Sequence, residues 1–342
     1  MSFKVVVSSR IPRAAEVVER LQRDPSCTVV LGPSEDPSKV LQLTDAQIDE
    51  YVRDADAYIC GPRDELSRKA LEAGTRLRVV SSMVIGTEYI DVQAATDLGI
   101  VVAYGAVPEN SLGVAEAVVM LTAALLKDLP GKMASVRNGA WRPATVGRMV
   151  WGQTVGIVGL GAIGQAVAKR LAPWECRMLC ADPYVDPKIA QDLGVELVDL
   201  DTVLRESDVV SLHVTVTEET RHMIDDESFS MMKPTAYFIN TSRGAAVDED
   251  ALVRALQDGR IAGAAIDAWE LEPAAPDHPL RTMPNVIPTP HCIGHSQESM
   301  DALVEAAPEN ILRALRGQEP LYVRNPAVLP AWRARIARLN AQ

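Results

Sequence analysis

The run Gly156-Ile157-Val158-Gly159-Leu160-Gly161-Ala162-Ile163-Gly164 constrains this chain more than any other segment. Thr154 to Val158 reads as a buried strand and Gln165 to Leu171 continues at helical period, so the three glycines Gly159, Gly161 and Gly164 fall where a strand turns into a helix. That is the context a dinucleotide-binding turn requires. The first glycine permits the tight turn, the second admits a pyrophosphate to backbone N–H groups, and the third lets helix pack on strand; Ala162 and Ile163, between the second and third, are counted in the expected cofactor-binding set. The next strand-like run, Arg177 to Ala181, ends in Asp182, which lies 18 residues beyond Gly164. There an acid accepts hydrogen bonds from the adenosine ribose and repels a 2′-phosphate, and the next basic residue is only Lys188, so the expected cofactor is NAD and not NADP. The plainer alternative is a solvated acid opening the Asp182-Pro183 turn.

A chain of 342 residues exceeds one ordinary core, which predicts two domains. Apolar strand-like runs at 3–8, 28–31, 57–60 and 77–81 alternate with helix-like segments near 14–22, 45–52 and 65–71. After the glycine turn the alternation restarts, with strands near 177–181, 209–212, 236–240, 263–266 and 286–288. Such alternation means parallel sheets. The expected fold class is α/β with two doubly wound parallel-sheet domains. The helix-like segment Gln297 to Leu315 follows the second sheet with no strand partner of its own, so it is expected to cross back to the first domain. Residues 1–106 and 296–342 then form a discontinuous, flavodoxin-like substrate domain. A Rossmann cofactor domain, 107–295, is inserted into it, and the active site is expected in the cleft between them.

The net charge of −12 argues against a nucleic-acid partner, which demands a basic face. Five cysteines, an odd number with no CxxC and no zinc-type histidine spacing, read as reduced thiols of a cytoplasmic protein, and no metal site is expected. The longest apolar stretch, Val114 to Leu126, is interrupted by Glu116 and is expected to be too short to span a membrane; a buried or dimer-forming helix is the better reading.

Three ionisable residues follow the ends of late strands, where ligands of open α/β sheets bind: Arg243 in Asn240-Thr241-Ser242-Arg243-Gly244, Glu272 in the segment from Asp267 to Pro273, and His291 in Pro288-Thr289-Pro290-His291. Singly, each has a plain alternative as a turn arginine, a solvated acid or a core histidine. Together with the glycine turn, Asp182-Pro183-Tyr184 and Met232-Lys233-Pro234, these segments resemble the D-isomer-specific 2-hydroxyacid dehydrogenase family over nearly the whole chain. The resemblance implies the inserted-domain layout, a homodimer, and conversion between a 2-oxo acid and a D-2-hydroxy acid. It also implies the cofactor contacts of Thr241, and of Asp267 with the nicotinamide carboxamide. The reaction needs a hydride at the carbonyl carbon, a proton at its oxygen and a cation for the neighbouring carboxylate. Arg243 suits the last task with its fixed guanidinium fork, His291 the proton transfer, and Glu272 beside it favours the imidazolium.

The first-domain loop departs from the family pattern. Ser82 stands where the family carries arginine and Val84 where it carries glycine, which argues against a phosphorylated substrate. Cys292, Ile293 and His295 also replace the usual residues. The substrate-binding set is therefore expected to include Ser82, Met83, Val84, Arg243 and His295, with an apolar or hydroxylated substrate group beside Met83 and His295. The rival readings are a formate- or phosphite-type dehydrogenase of the same superfamily and an NAD-sensing interaction protein. Formate oxidation transfers no proton and that enzyme carries glutamine in place of Glu272, so the acid favours alcohol and ketone chemistry.

Overall fold

The inner strands of both halves of the chain are buried along most of their length, as parallel sheets covered on two faces require. The computed structural model describes residues 2–36, 39–141 and 146–341. It divides into two compact units, Met1–Glu109 with Ser296–Gln342, and Asn110–His295.

The first unit carries β1 (Phe3–Val7), β2 (Cys27–Leu31), β3 (Leu41–Gln42), β4 (Ala57–Cys60), β5 (Asp64–Glu65), β6 (Val79–Ser82) and β7 (Val101–Ala103). Five of these form one parallel sheet in the order β2-β1-β4-β6-β7, which is the flavodoxin-like winding; β3 and β5 pair separately. The second unit carries β8 (Thr154–Val158), β9 (Arg177–Ala181), β10 (Glu196–Leu197), β11 (Val209–Leu212), β12 (Tyr237–Asn240), β13 (Gly263–Ile266) and β14 (Val286–Pro288). Their order, β10-β9-β8-β11-β12-β13-β14, is the Rossmann winding extended by one strand. The order reverses beside β8, so the crevice at its carboxyl end is where the glycine turn emerges.

Each sheet has an apolar core on either face. In the first unit one face packs Val5, Val7, Ile59 and Val79 against Leu303, Ile311 and Trp332 of the carboxyl-terminal helices, while the other packs Val6, Tyr58 and Val80 against Leu71 and Ala94. In the second unit Val210, Phe238 and Ala264 face the helix Glu249–Gln257, and Ile157, Ile239 and Ala265 face the helix Pro108–Leu126.

Several expectations need adjusting. The segment 45–52 is not one regular helix: a single α turn at Asp45–Gln47 passes into a wider winding over Ile48–Val52, closed by the Arg53 N–H on the Ile48 carbonyl. β6 starts at Val79 because Leu77 is used in a turn, its N–H bonding the Gly74 carbonyl. The apolar stretch expected to be too short for a membrane belongs to the 19-residue helix Pro108–Leu126, which by length and composition alone is long and apolar enough to cross one. Its buried residues Ala115, Val118, Leu121 and Leu125 instead serve the core of the second unit.

The carboxyl-terminal segment closes the open edge at β7. Val323 bridges Ala103 antiparallel, and the Arg324 N–H bonds the Val102 carbonyl. Asn325, 7% exposed, accepts from the Val102 N–H at 2.9 Å and donates to Thr96 Oγ1 at 2.9 Å and the Ile100 carbonyl at 3.2 Å. Beyond it Trp332 donates its indole N–H to the Arg78 carbonyl, and Arg335 donates to the carbonyls of Leu77, Leu98, Gly74 and Thr75. Asn325→Ala leaves buried backbone groups unpaired and is expected to lower stability by about 2 kcal/mol, read as a fall in the urea midpoint at unchanged slope.

Candidate active site

Gly159 leaves β8 with φ +94°, a left-handed value that a side chain resists, and a Cβ there would meet the His213 carbonyl oxygen at 2.8 Å. A Cβ on Gly164 would meet the Gly159 oxygen at 2.2 Å, so this glycine sets how closely helix and strand pack. Gly161 caps the helix Ala162–Leu171 with no side-chain bond to its first N–H groups, and space is open around its Cα. Those groups and the helix dipole suit a pyrophosphate. Asp182 follows β9 and already accepts from the Leu160 N–H at 2.7 Å and from the N–H groups of Tyr184 and Val185 at 2.9 and 3.1 Å, which fixes the carboxylate against the glycine turn. Thr241, 7% exposed, has a buried hydroxyl with no hydrogen-bond partner among the described residues, as a polar group awaiting a ligand does. The residues present therefore fit a dinucleotide.

The late-strand loops carry the ionisable groups. After β12, the Asn240 side chain accepts from the Ser242 N–H and hydroxyl and donates to the Arg243 carbonyl, which shapes the loop that holds Arg243. The Arg243 Nη1 donates to the Ser242 carbonyl at 2.8 Å. Gly244 lets this loop close on the next one: a Cβ there would lie 1.9 Å from the Trp269 carbonyl carbon and 2.2 Å from the Glu270 nitrogen.

After β13, Asp267 is 4% exposed. Its carboxylate accepts from the Thr289 hydroxyl at 2.7 Å, the Cys292 N–H at 3.1 Å and the Ile293 N–H at 3.3 Å. These bonds bracket His291, whose φ of +56° lies in the left-handed region that residues other than glycine enter uncommonly. Strain of this kind costs about 1–3 kcal/mol and persists only where neighbours over-determine it. Trp269 adds a second tie, donating its indole N–H to the Thr289 carbonyl at 2.8 Å. Glu272 Oε1 accepts from the Trp269 N–H at 3.1 Å and lies 2.5 Å from His291 Nδ1. Both side chains are partly buried, at 20% and 35% exposure, so the pair is neither solvated nor sealed.

The structure thus joins Glu272 to His291 directly and packs the Arg243 loop on the Trp269–Glu270 peptide that leads into Glu272. It also gives Asp267 a task that spacing alone did not show, since holding the 289–293 loop depends on contacts between strand ends.

The residues expected to bind substrate, other than Arg243, differ in exposure. Met83 is fully buried, packed with Val107 and Leu303 in the core. Ser82 is also buried; its hydroxyl donates to the Gly86 carbonyl at 2.7 Å and accepts from the Val84 N–H at 3.3 Å, which shapes the loop from within. Val84 is half-buried. His295 is exposed, with its N–H on the Cys292 carbonyl. His213 follows β11; burial pushes its imidazole down to about 4, so the ring is neutral at pH 7.

Residues 119–292 match the model of the D-isomer-specific 2-hydroxyacid dehydrogenase NAD-binding domain. A glyoxylate reductase of Thermofilum pendens is 38% identical over 317 residues, covering 89% of this chain and 90% of the relative. Another, of Korarchaeum cryptofilum, is 40% identical over 287 residues, covering 82% and 86%. The chain belongs to the D-isomer-specific 2-hydroxyacid dehydrogenase family. Among solved structures, a D-lactate dehydrogenase of Aquifex aeolicus complexed with NAD and lactic acid superposes with a TM-score of 0.79 at 28% identity, over 92% of this chain and 96% of that one. This dehydrogenase is accordingly an NAD-dependent oxidoreductase that interconverts a 2-oxo acid and a D-2-hydroxy acid.

The closeness at Gly244 generates a test. Gly244→Ala forces the arginine loop away from the Trp269–Glu270 peptide and is expected to destabilise the second unit by about 3 kcal/mol, seen as a lower thermal midpoint, and to depress kcat in whatever protein remains folded.

Proposed function

We propose that His291 is the general acid and base of this dehydrogenase, Glu272 its carboxylate partner, and Arg243 the clamp for the substrate's carboxylate and carbonyl oxygens. The observation that carries the reading is the 2.5 Å contact between His291 Nδ1 and Glu272 Oε1 at the carboxyl end of the sheet. With Nδ1 committed to the carboxylate, Nε2 is the nitrogen that exchanges a proton with substrate. Bound NADH supplies the hydride for the carbonyl carbon. His291 gives its Nε2 proton to the carbonyl oxygen as that oxygen gains negative charge, and Glu272 orients the ring throughout. In oxidation the same nitrogen takes the hydroxyl proton. Arg243 presents its guanidinium as a fixed fork, so it orients the acid.

On the cofactor side, Gly159, Gly161, Ala162, Ile163 and Gly164 would hold the pyrophosphate and Asp182 the adenosine ribose. Thr241 and Asp267 would border the nicotinamide. The substrate is a non-phosphorylated 2-oxo acid, because Ser82 offers a hydroxyl already used within its own loop and no cation. Similarity to two glyoxylate reductases supports a small acid. We also place the enzyme in the cytoplasm as a homodimer. Support for the dimer comes from an apolar groove of about 360 Å³ lined by Met120, Leu129, Pro130, Met133 and Ile293, beside Met120 and Leu129 exposed at 53% and 48%.

His291→Ala is expected to lower kcat by about 10²–10⁴-fold with NADH affinity held within threefold, measured by NADH oxidation with glyoxylate, pyruvate and hydroxypyruvate. Arg243→Lys keeps the charge but loses the fork, worth about 1.5–3 kcal/mol, so kcat/KM falls roughly 10–100-fold. A His291→Ala enzyme with wild-type kcat would remove the proton-transfer role. For the dimer, Met120→Glu with Met133→Glu should shift the sedimentation mass from two chains to one while leaving the thermal midpoint nearly unchanged.

A further inference from the structure

The turn from Trp269 to Glu272 meets two carboxylate–imidazole pairs besides the one His291 makes. His222 Nε2 lies 2.6 Å from a Glu270 carboxylate oxygen, but both side chains are about 40% exposed, at 44% and 38%, and such a pair contributes little. The other pair is more enclosed, with side-chain exposures of 21% and 10% for His278 and Glu249. Glu249, 8% exposed, opens the helix Glu249–Gln257 directly after its Asp248 cap. Its Oε1 accepts the Glu270 N–H at 2.7 Å, and its Oε2 lies 3.2 Å from His278 Nε2.

His278 is itself fixed. Its Nδ1 accepts the Leu280 N–H at 3.4 Å, which leaves Nε2 as the nitrogen bearing hydrogen toward Glu249, and its ring stands edge-on to Trp269 with centroids 5.5 Å apart. Two successive peptide N–H groups of the turn are therefore held by two carboxylates: the Trp269 N–H by Glu272, and the Glu270 N–H by Glu249. A carboxylate taken out of water needs a compensating partner set, and this one has a peptide N–H, an imidazole and a helix N-terminus. Burial pushes the Glu249 carboxyl up, while the Glu270 N–H and His278 pull it down, so the site is set by opposing local forces.

We propose that Glu249, steadied by His278, is a positioning residue that fixes the Trp269–Glu272 turn at the height where Glu272 meets His291. It touches neither substrate nor cofactor and acts only through the Glu270 N–H. The inference rests on the proton-transfer reading of His291 given above.

The test uses the full-length enzyme with NADH and whichever of glyoxylate, pyruvate or hydroxypyruvate it reduces fastest. Glu249→Ala is expected to lower kcat at least tenfold while the KM of the acid and the Kd of NADH, read from fluorescence, stay within threefold. Glu249→Gln keeps an oxygen that accepts the Glu270 N–H and should recover kcat to within threefold of the unsubstituted enzyme. Glu249→Asp is one methylene short of that N–H and should remain slow. The proposal is overturned if Glu249→Ala keeps kcat within threefold, if Glu249→Gln is as slow as Glu249→Ala, or if NADH affinity collapses together with kcat. Should Glu249→Ala not fold, the Asp and Gln variants decide alone, a fast Asp enzyme or a slow Gln enzyme counting against the role. His291→Ala in the same assay separates the two readings: if it is fast the proton-transfer role fails, and if it is slow while every Glu249 variant is fast only the positioning role fails.

Discussion

A left-handed histidine has to be held in place, and the Asp267 carboxylate does most of the holding. By accepting from Thr289, Cys292 and Ile293 it grips the chain on both sides of His291, so the disfavoured backbone at that residue is compensated within one loop. The carboxylate is almost wholly buried, where bonds to a charged acceptor are strong and their loss is costly. Around this grip the other acids take successive stations: Glu272 sits on the Trp269 N–H and the imidazole, and Glu249 on the Glu270 N–H. None of the three is placed by its own strand alone.

Parallel winding makes the arrangement possible. All the strands of a doubly wound sheet point the same way, so β8, β12, β13 and β14 deliver their following loops to one edge. Neighbouring loops there are one strand spacing apart, about 4.8 Å, which is within side-chain reach. Two glycines adjust the fit where that spacing is too wide for the chemistry. Gly164 brings helix to strand beneath the glycine turn, and Gly244 brings the arginine loop onto the Trp269–Glu270 peptide.

Much of this was legible in the residues. The glycine spacing, the strand runs 154–158, 177–181, 209–212, 263–266 and 286–288, and the helix 297–315 carry strong local signals, and each appears in the structure with the limits read from sequence. The Glu272–His291 contact was legible only through resemblance, because 19 residues and a strand separate the two and no local pattern predicts such a meeting. What escaped was decided by tertiary packing. β7 is three residues long and needs Asn325, more than two hundred residues away, to complete its pairing. Met83 looks like a loop residue in sequence but is pulled into the core behind β6. His278 and Glu249 look like an ordinary turn histidine and a helix-start acid, and their partnership exists only once the fold brings the 270–278 segment onto the start of the helix Glu249–Gln257.

The way the first unit is stitched from both ends of the chain bears on the order in which the protein acquires its structure during synthesis. Asn110–His295 is contiguous, so it can complete its sheet from residues already emerged, while β7 waits with an unprotected edge until Asn325 and the Trp332 helix arrive. Contacts that span most of the chain form late because long loop closure must precede them. The contiguous unit is therefore expected to assemble before the β7 edge is paired by the segment around Val323–Asn325.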